Sequence, residues 1–314
     1  MAPGGIHHGI HHVTAIAGDA HRNIDFYTRT LGLRLVKKTV NFDDPATYHL
    51  YYGDETGQPG TILTFFPWER AAPGRLGGGE LQETAFRVPQ GAIGYWTHRL
   101  IAHGVPEQTR EERFGESVLA FRDPDGMRLA LVAVAGIEAE PAWAQGDIPA
   151  EHALRGFHGV SLLSGDGSAT GAVLSDVLGF TETARDGSLT RFQVPGLALG
   201  GIIDLRRASG FPGGRLGRGT VHHLAFRAAD DAAEAGMVRR LAENHGIHTT
   251  EQKDRTYFRS VYFREPGHAL FEIATDMPGF AVDEPAALLG QALKLPPFLE
   301  PRRTEIEGAL PTLA

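Results

Sequence analysis

The chain has 314 residues, no cysteine, 40 glycines and a formal net charge of −8 at pH 7. That length accommodates two ordinary domains with cores of their own, and the lack of thiols excludes disulfides, thiolate metal sites, Fe–S clusters and cysteine nucleophiles. The acidic balance argues against a nucleic-acid surface, no apolar run approaches the ~20 residues of a membrane span, and no secretory signal opens the chain. The expectation is a cytoplasmic protein with a small-molecule partner, no nucleic acid and no membrane; homo-oligomerisation stays open.

In chain order, Ile10-His11-His12-Val13-Thr14 reads as a strand. A helix follows, with Asp19 as its cap, Ile24, Tyr27 and Leu31 recurring on one face, and Gly32 as a left-handed stop. Further helices are expected at Ala92–His103, Ala169–Leu178 and Asp231–His245, each ending before a glycine. Short runs rich in β-branched, aromatic and aliphatic residues predict strands at Tyr48–Gly53, Thr61–Phe66, Ser117–Phe121, Arg128–Val134, Arg191–Val194, Ser260–Phe263 and Ala269–Ala274. Asp123-Pro124-Asp125-Gly126 and Glu265-Pro266-Gly267 are turns between the last two strands of their units. The acidic, proline-containing stretch 136–148 reads as a connection, and the segment from Pro278 onward as a helix and extended tail wrapping the domains.

Self-comparison explains this alternation. Shifting the chain by 147 residues lays His12-Val13-Thr14 over Gly159-Val160-Ser161 and Leu31-Gly32-Leu33 over Leu178-Gly179-Phe180. A second match pairs Pro73-Gly74-Arg75-Leu76-Gly77 with Gly214-Arg215-Leu216-Gly217, and Ala85-Phe86-Arg87 with Ala225-Phe226-Arg227. The predicted class is α+β: four β-α-β-β-β modules in two tandem domains, each with a curved mixed sheet. The domains would span 1–140 and 150–280, with a C-terminal tail at 281–314.

Two His-His pairs lie in matching apolar strands, at His11-His12 and His222-His223, and Glu272 is embedded in the apolar run 269–274. A carboxylate buried among apolar residues costs several kcal/mol unless a cation or hydrogen bonds compensate it. Strand alternation lets one His of each pair point at a shared centre while its neighbour faces away or lies beside it. Two imidazoles and one carboxylate without thiols describe the triad that suits non-haem Fe(II); Mn(II) accepts the same ligands. The candidates do not recur: His12 aligns with Gly159, His223 with Glu83, and Glu272 with Leu131 if one turn residue counts as an insertion. One site is expected, drawn from the first and fourth modules. Taken singly, each histidine is more often a hydrogen-bonded core residue than a ligand. The pair His7-His8 reads as mobile terminus, and His49, His98, His103, His245 and His248 as surface or helix-end residues.

These residues and this layout resemble the vicinal oxygen chelate superfamily, and more closely its ring-cleaving dioxygenase branch that acts on hydroquinones. The resemblance is densest in 9–35, 219–227 and 255–276, the motif Phe271-Glu272-Ile273-Ala274-Thr275-Asp276 being its most specific part. It implies that His12, His223 and Glu272 bind Fe(II), and that His11, His222, Arg255 and Tyr262 act in catalysis, with Thr14 among the polar groups around the metal. Arg255 and Tyr262 also have a plain structural reading, as an ion-pair partner and a cross-strand aromatic. The expected partners are a small aromatic substrate and dioxygen.

The same scaffold hosts redox-neutral isomerases and lyases on Mn(II), Ni(II) or Zn(II), and binding or resistance proteins without turnover, so the fold does not name the reaction. Glyoxalase-type members use a fourth ligand from the last strand of the paired module. Thr61–Trp68 has no acid or amide to offer. Three ligands leave room for substrate and dioxygen, and Phe65, Phe66 and Trp68 would wall a planar ring.

Overall fold

The computed structural model describes residues 8–144, 146–165, 167–207 and 210–313; His7 lies outside them, and His8 packs over Gly179. The first module is β1 (Ile10–Ala17), α1 (Ala20–Asp25), β2 (Arg34–Asn41), β3 (Asp44–Gly53) and β4 (Ile62–Pro67). The second is β5 (Glu80–Pro89), α2 (Ile93–Ala102), β6 (Thr109–Arg113), β7 (Glu116–Arg122) and β8 (Arg128–Val134). The third is β9 (Phe157–Ser164), α3 (Ser168–Asp176), β10 (Thr181–Asp186), β11 (Leu189–Gln193) and β12 (Ile202–Arg207). The fourth is β13 (Val221–Ala228), α4 (Asp231–His245), β14 (Lys253–Asp254), β15 (Arg259–Arg264) and β16 (Leu270–Thr275), and α5 (Arg303–Ala309) lies in the tail.

Local chemistry accounts for the helix ends. Asp19 and Asp230 accept hydrogen bonds from Arg22 N and Ala233 N, capping α1 and α4. Gly32 and Gly246 stand at positive φ where a side chain would be strained. The last turn of the first helix widens into a π-turn at Phe26–Thr30, which swings buried Tyr27 to donate to Asp123 of the second module at 3.0 Å.

Two eight-stranded mixed sheets result, ordered β14-β15-β16-β13-β1-β4-β3-β2 and β10-β11-β12-β9-β5-β8-β7-β6. Each takes one module from either half of the chain, through the antiparallel seams β1/β13 and β5/β9. Strands β2, β6, β10 and β14 are the sheet edges; with the interior strands β5, β9 and β12 they are the strands that composition did not foretell. Edges rich in charge, such as Thr-Arg-Glu-Glu-Arg in β6, resist further pairing and so carry no apolar alternation to read. The repeated Gly-Arg-Leu-Gly loops cross each other, Arg75 and Arg215 exchanging both backbone hydrogen bonds at 2.8 Å. A Cβ on Gly77 would stand 2.3 Å from Gly214 N, so this backbone approach requires glycine.

The tail is more than a wrap. Phe280 and Leu289 enter the concave face of the first sheet beside Val36, Tyr51, Ile62 and Tyr257. Lys37, fully buried, anchors it with Nζ 2.6 Å from Asp283 Oδ1 and 2.5 Å from Glu284 Oε1. Among the described residues, no helix is long and apolar enough to cross a membrane.

Candidate metal centre

His12, His223 and Glu272 converge. His12 Nε2 lies 3.3 Å from His223 Nε2 and 3.2 Å from Glu272 Oε2, and His223 Nε2 lies 2.9 Å from the same oxygen. These three form the one cluster of potential ligands found among the described residues, and all are buried.

Register irregularities build it. On β1, Ile10 pairs with Phe226 and His12 with Ala225, which leaves His11 as the extra residue of a bulge. On β13, Thr14 pairs with His223 and Ala15 with Val221, which leaves His222 in the same condition. Each bulge bends the strand so that the preceding imidazole lies beside its neighbour. His11 Nδ1 stands 2.9 Å from His12 Nδ1, and His222 Nδ1 stands 2.8 Å from His223 Nδ1. If His12 and His223 offer Nε2 to a cation, their Nδ1–H groups donate to His11 and His222, which holds ring and tautomer in place.

The donor set fits a cation. Burial lowers the His223 pKa, against the pull of Glu272. Burial alone would raise the Glu272 carboxyl, but His12 and His223 together hold it well below the usual range. Apart from the two imidazole nitrogens, no group donates a hydrogen bond to either Glu272 oxygen among the described residues. A fully buried anion between two imidazole nitrogens is a costly arrangement that a divalent ion would relieve.

A cavity of about 320 Å³ opens over these groups, with Phe66, Trp68, Phe258 and Leu270 as apolar walls. Phe66 and Trp68 stack at 6.0 Å with planes 15° apart. Phe65, expected in that wall, points the other way, packing 4.6 Å from Tyr27 in the core, because it alternates with Phe66 along β4. Arg255, Tyr262 and His222 line the cavity; His11 lies behind it against Phe258, 5.3 Å between ring centres. Arg255 sits 5.5 Å over the Tyr262 ring and reaches Asp43 at 3.2 Å, so its structural and its site-facing readings coexist. Burial, followed by Glu272, raises the Tyr262 phenol. Burial and the adjacent ligand candidates push His11 and His222 down to about 3.

Sequence reasoning misplaced His49. It lines the cavity rather than the surface, its Nε2 2.8 Å from Thr64 Oγ1 and its Nδ1 2.8 Å from Tyr51 Oη. Thr64 donates in turn to Thr14 at 2.9 Å, giving a hydrogen-bonded run from β1 to β3. The strand Tyr48–Gly53 was legible, but alternation alone does not say which face meets the centre.

Register also refines the repeat. Glu272 pairs with Ala225 and Ala130 with Ala85, so the counterpart of Glu272 in the second sheet is Ala130; the gapped comparison that selected Leu131 is off by one. By the same logic Asp204, paired with Ser161, is the counterpart of Thr64, paired with Thr14. The second sheet thus keeps carboxylates at Glu83 and Asp204, each held by an arginine: Arg113 on Glu83, and Arg191 forked on Asp204 at 2.8 and 2.9 Å. With those charges satisfied internally, no cation is called for there.

The family model of the glyoxalase/bleomycin resistance protein/dioxygenase superfamily matches residues 9–131. A relative from Bacillus subtilis (strain 168) bearing the name "Putative ring-cleaving dioxygenase MhqO" is 47% identical over 96% of this chain and 96% of its own. The chlorohydroquinone/hydroquinone 1,2-dioxygenase of Sphingobium indicum is 32% identical over 95% of this chain and 94% of its own. A crystal structure from Bacillus subtilis subsp. subtilis str. 168, described in similarly guarded terms as a dioxygenase, superposes with a TM-score of 0.92 at 46% identity, covering 98% of this chain and 97% of that one.

Proposed function

The chain belongs to the glyoxalase/bleomycin resistance protein/dioxygenase superfamily, among relatives named ring-cleaving dioxygenases, and on that premise we propose that it is an Fe(II)-dependent dioxygenase opening a hydroquinone or related dihydroxy-aromatic with dioxygen. The observation that carries this reading is the convergence of His12, His223 and Glu272 under an aromatic-walled cavity. His12, His223 and Glu272 would hold the metal, which when bound supplies a Lewis acid and a meeting place for the phenolic oxygen and dioxygen.

The chain's own groups do the rest. Phe66, Trp68 and Phe258 accept the faces of a planar ring and exclude water from it. The Arg255 guanidinium sets a positive charge where the ionised or attacked hydroxyl sits, and the Tyr262 phenol, kept protonated by burial, is a donor there. His222, neutral and at the cavity edge with its Nδ1 taken by His223, presents its Nε2–H as a donor to a substrate oxygen, and His11 steadies His12 from behind. We read the ring opening as extradiol-type because three protein ligands would leave room on the metal for both the substrate and dioxygen.

The experiment is metal analysis of protein purified without air, followed by oxygen-electrode assays across hydroquinones and catechols. Stoichiometric iron with oxygen uptake is expected, and Glu272→Ala should lose both. Turnover that survives strict anaerobiosis would point to an isomerase or lyase, and stoichiometric binding without oxygen consumption to a sequestering protein.

A further inference from the structure

The concave face of the second sheet, where the described residues form no metal-ligand cluster, has a cleft of its own of about 890 Å³. The tail that plugs the first sheet does not line it. In a chain of net charge −8 this cleft is lined by five arginines against three glutamates. Arg113 already engages two of those glutamates, Glu83 and Glu111.

Among the described residues four of the five, Arg122, Arg128, Arg206 and Arg207, form no ion pair with a carboxylate, Arg207 lying on the opposite face of β12 from Arg206. Arg122 and Arg128 stand directly opposite on β7 and β8, a cross-strand pairing of like charges that destabilises a sheet unless something neutralises it. Arg206 projects from β12 on the same face as Asp204, two residues away. Among the described residues no carboxylate forms an ion pair with Arg122, Arg128 or Arg206; Arg122 reaches only the carbonyl of Gly126, at 2.9 Å. Burial and then Arg122 lower the Arg128 pKa, Glu83 opposes them and Arg206 adds to them, so both neighbouring guanidiniums act on Arg128. Beside them stand Leu76 and Phe211, the latter 60% exposed, while Phe121 alternates with Arg122 and turns into the core.

Planar guanidiniums that outnumber the carboxylates around them and stand next to an apolar wall match an oxyanion on an apolar body. We propose that this cleft is a second ligand site, distinct from the metal centre, for a small organic anion with carboxylate groups on an unsaturated or aromatic frame. Arg122, Arg128 and Arg206 bind the carboxylates, and Leu76 and Phe211 cover the frame. The volume lies in the range of small-molecule pockets.

The test is calorimetric titration of the full chain with cis,cis-muconate and, separately, with inorganic phosphate. Muconate should bind once per chain, more tightly than phosphate and less tightly as salt rises. Arg128→Ala and Arg206→Ala should each weaken it by about tenfold or more, whereas Glu272→Ala should bind it like the parent. Without anion, Arg128→Ala should melt at or above the parent's temperature, because a like-charge pair is relieved, and this also shows that the variant folds. The proposal falls if the parent does not take up muconate, if phosphate binds as tightly, if Glu272→Ala alone abolishes binding, or if Arg128→Ala lowers the melting temperature in anion-free buffer.

Discussion

Thr64 occupies on β4 the place that Glu272 occupies on β16: Thr64 pairs with Thr14 of the first module's leading strand, and Glu272 with Ala225, the matching position of the fourth. One side chain is an anion aimed at two imidazoles; the other is a hydroxyl joined to Thr14 and His49. A four-ligand centre is therefore one substitution away, and the three-ligand set depends on Thr64 being neutral. Thr64→Glu should retain metal at least as well as the parent while oxygen uptake falls by about tenfold or more. Thr64→Val, which removes only hydrogen bonds, should keep both metal content and most of the uptake. Metal analysis and oxygen-electrode rates on the two variants decide it.

His49 lies off the metal-ligand set yet on the cavity, tied to Thr64 and Tyr51. His49→Ala should lower kcat by about 10- to 100-fold with iron content unchanged, as expected for a group that positions or exchanges protons with substrate. Parallel loss of iron in that variant would reassign His49 to holding the centre together.

Lys37 is fully enclosed between two tail carboxylates, and Asp283 also accepts from Tyr257 at 3.0 Å. Removing the cation leaves Glu284 buried and unpaired, so Lys37→Met should destabilise the protein by about 3 kcal/mol or more. Since Phe280 and Leu289 depend on this clamp to plug the cup, limited proteolysis should cut the variant's tail earlier than the parent's. Equal cleavage rates would show that apolar packing alone holds the tail.

Asp123 supplies a pH-dependent term far from the site. It accepts from Asp125 N, Met127 N and Tyr27, but burial outweighs these bonds and pushes its pKa from 3.8 up to about 6. The folded state thus favours the protonated acid. Its contribution is fully present below about pH 4 and is lost as pH rises through about 6. Asp123→Asn, with no proton to lose, should gain on the parent by about 2–3 kcal/mol between pH 4 and pH 7. Urea unfolding at pH 4, 5, 6 and 7 measures that difference, and a constant gap across the series would refute it.

The amino-acid sequence alone determined the repeated modules, the helix spans through their caps and terminal glycines, and the identity of the three converging groups. Those are local or one-dimensional properties: a cap acts within one turn, α4 at Asp231–His245 ends where its glycine stands, and a buried charge in an apolar run is visible without coordinates. Only the tertiary structure decided which module pairs with which, and that the His pairs sit in bulges. It also set His49 facing the centre and Phe65 facing away, and made Ala130 rather than Leu131 the counterpart of Glu272. Each of these depends on register between strands distant in sequence. A shift of one residue there exchanges the two faces of a sheet without altering composition or periodicity.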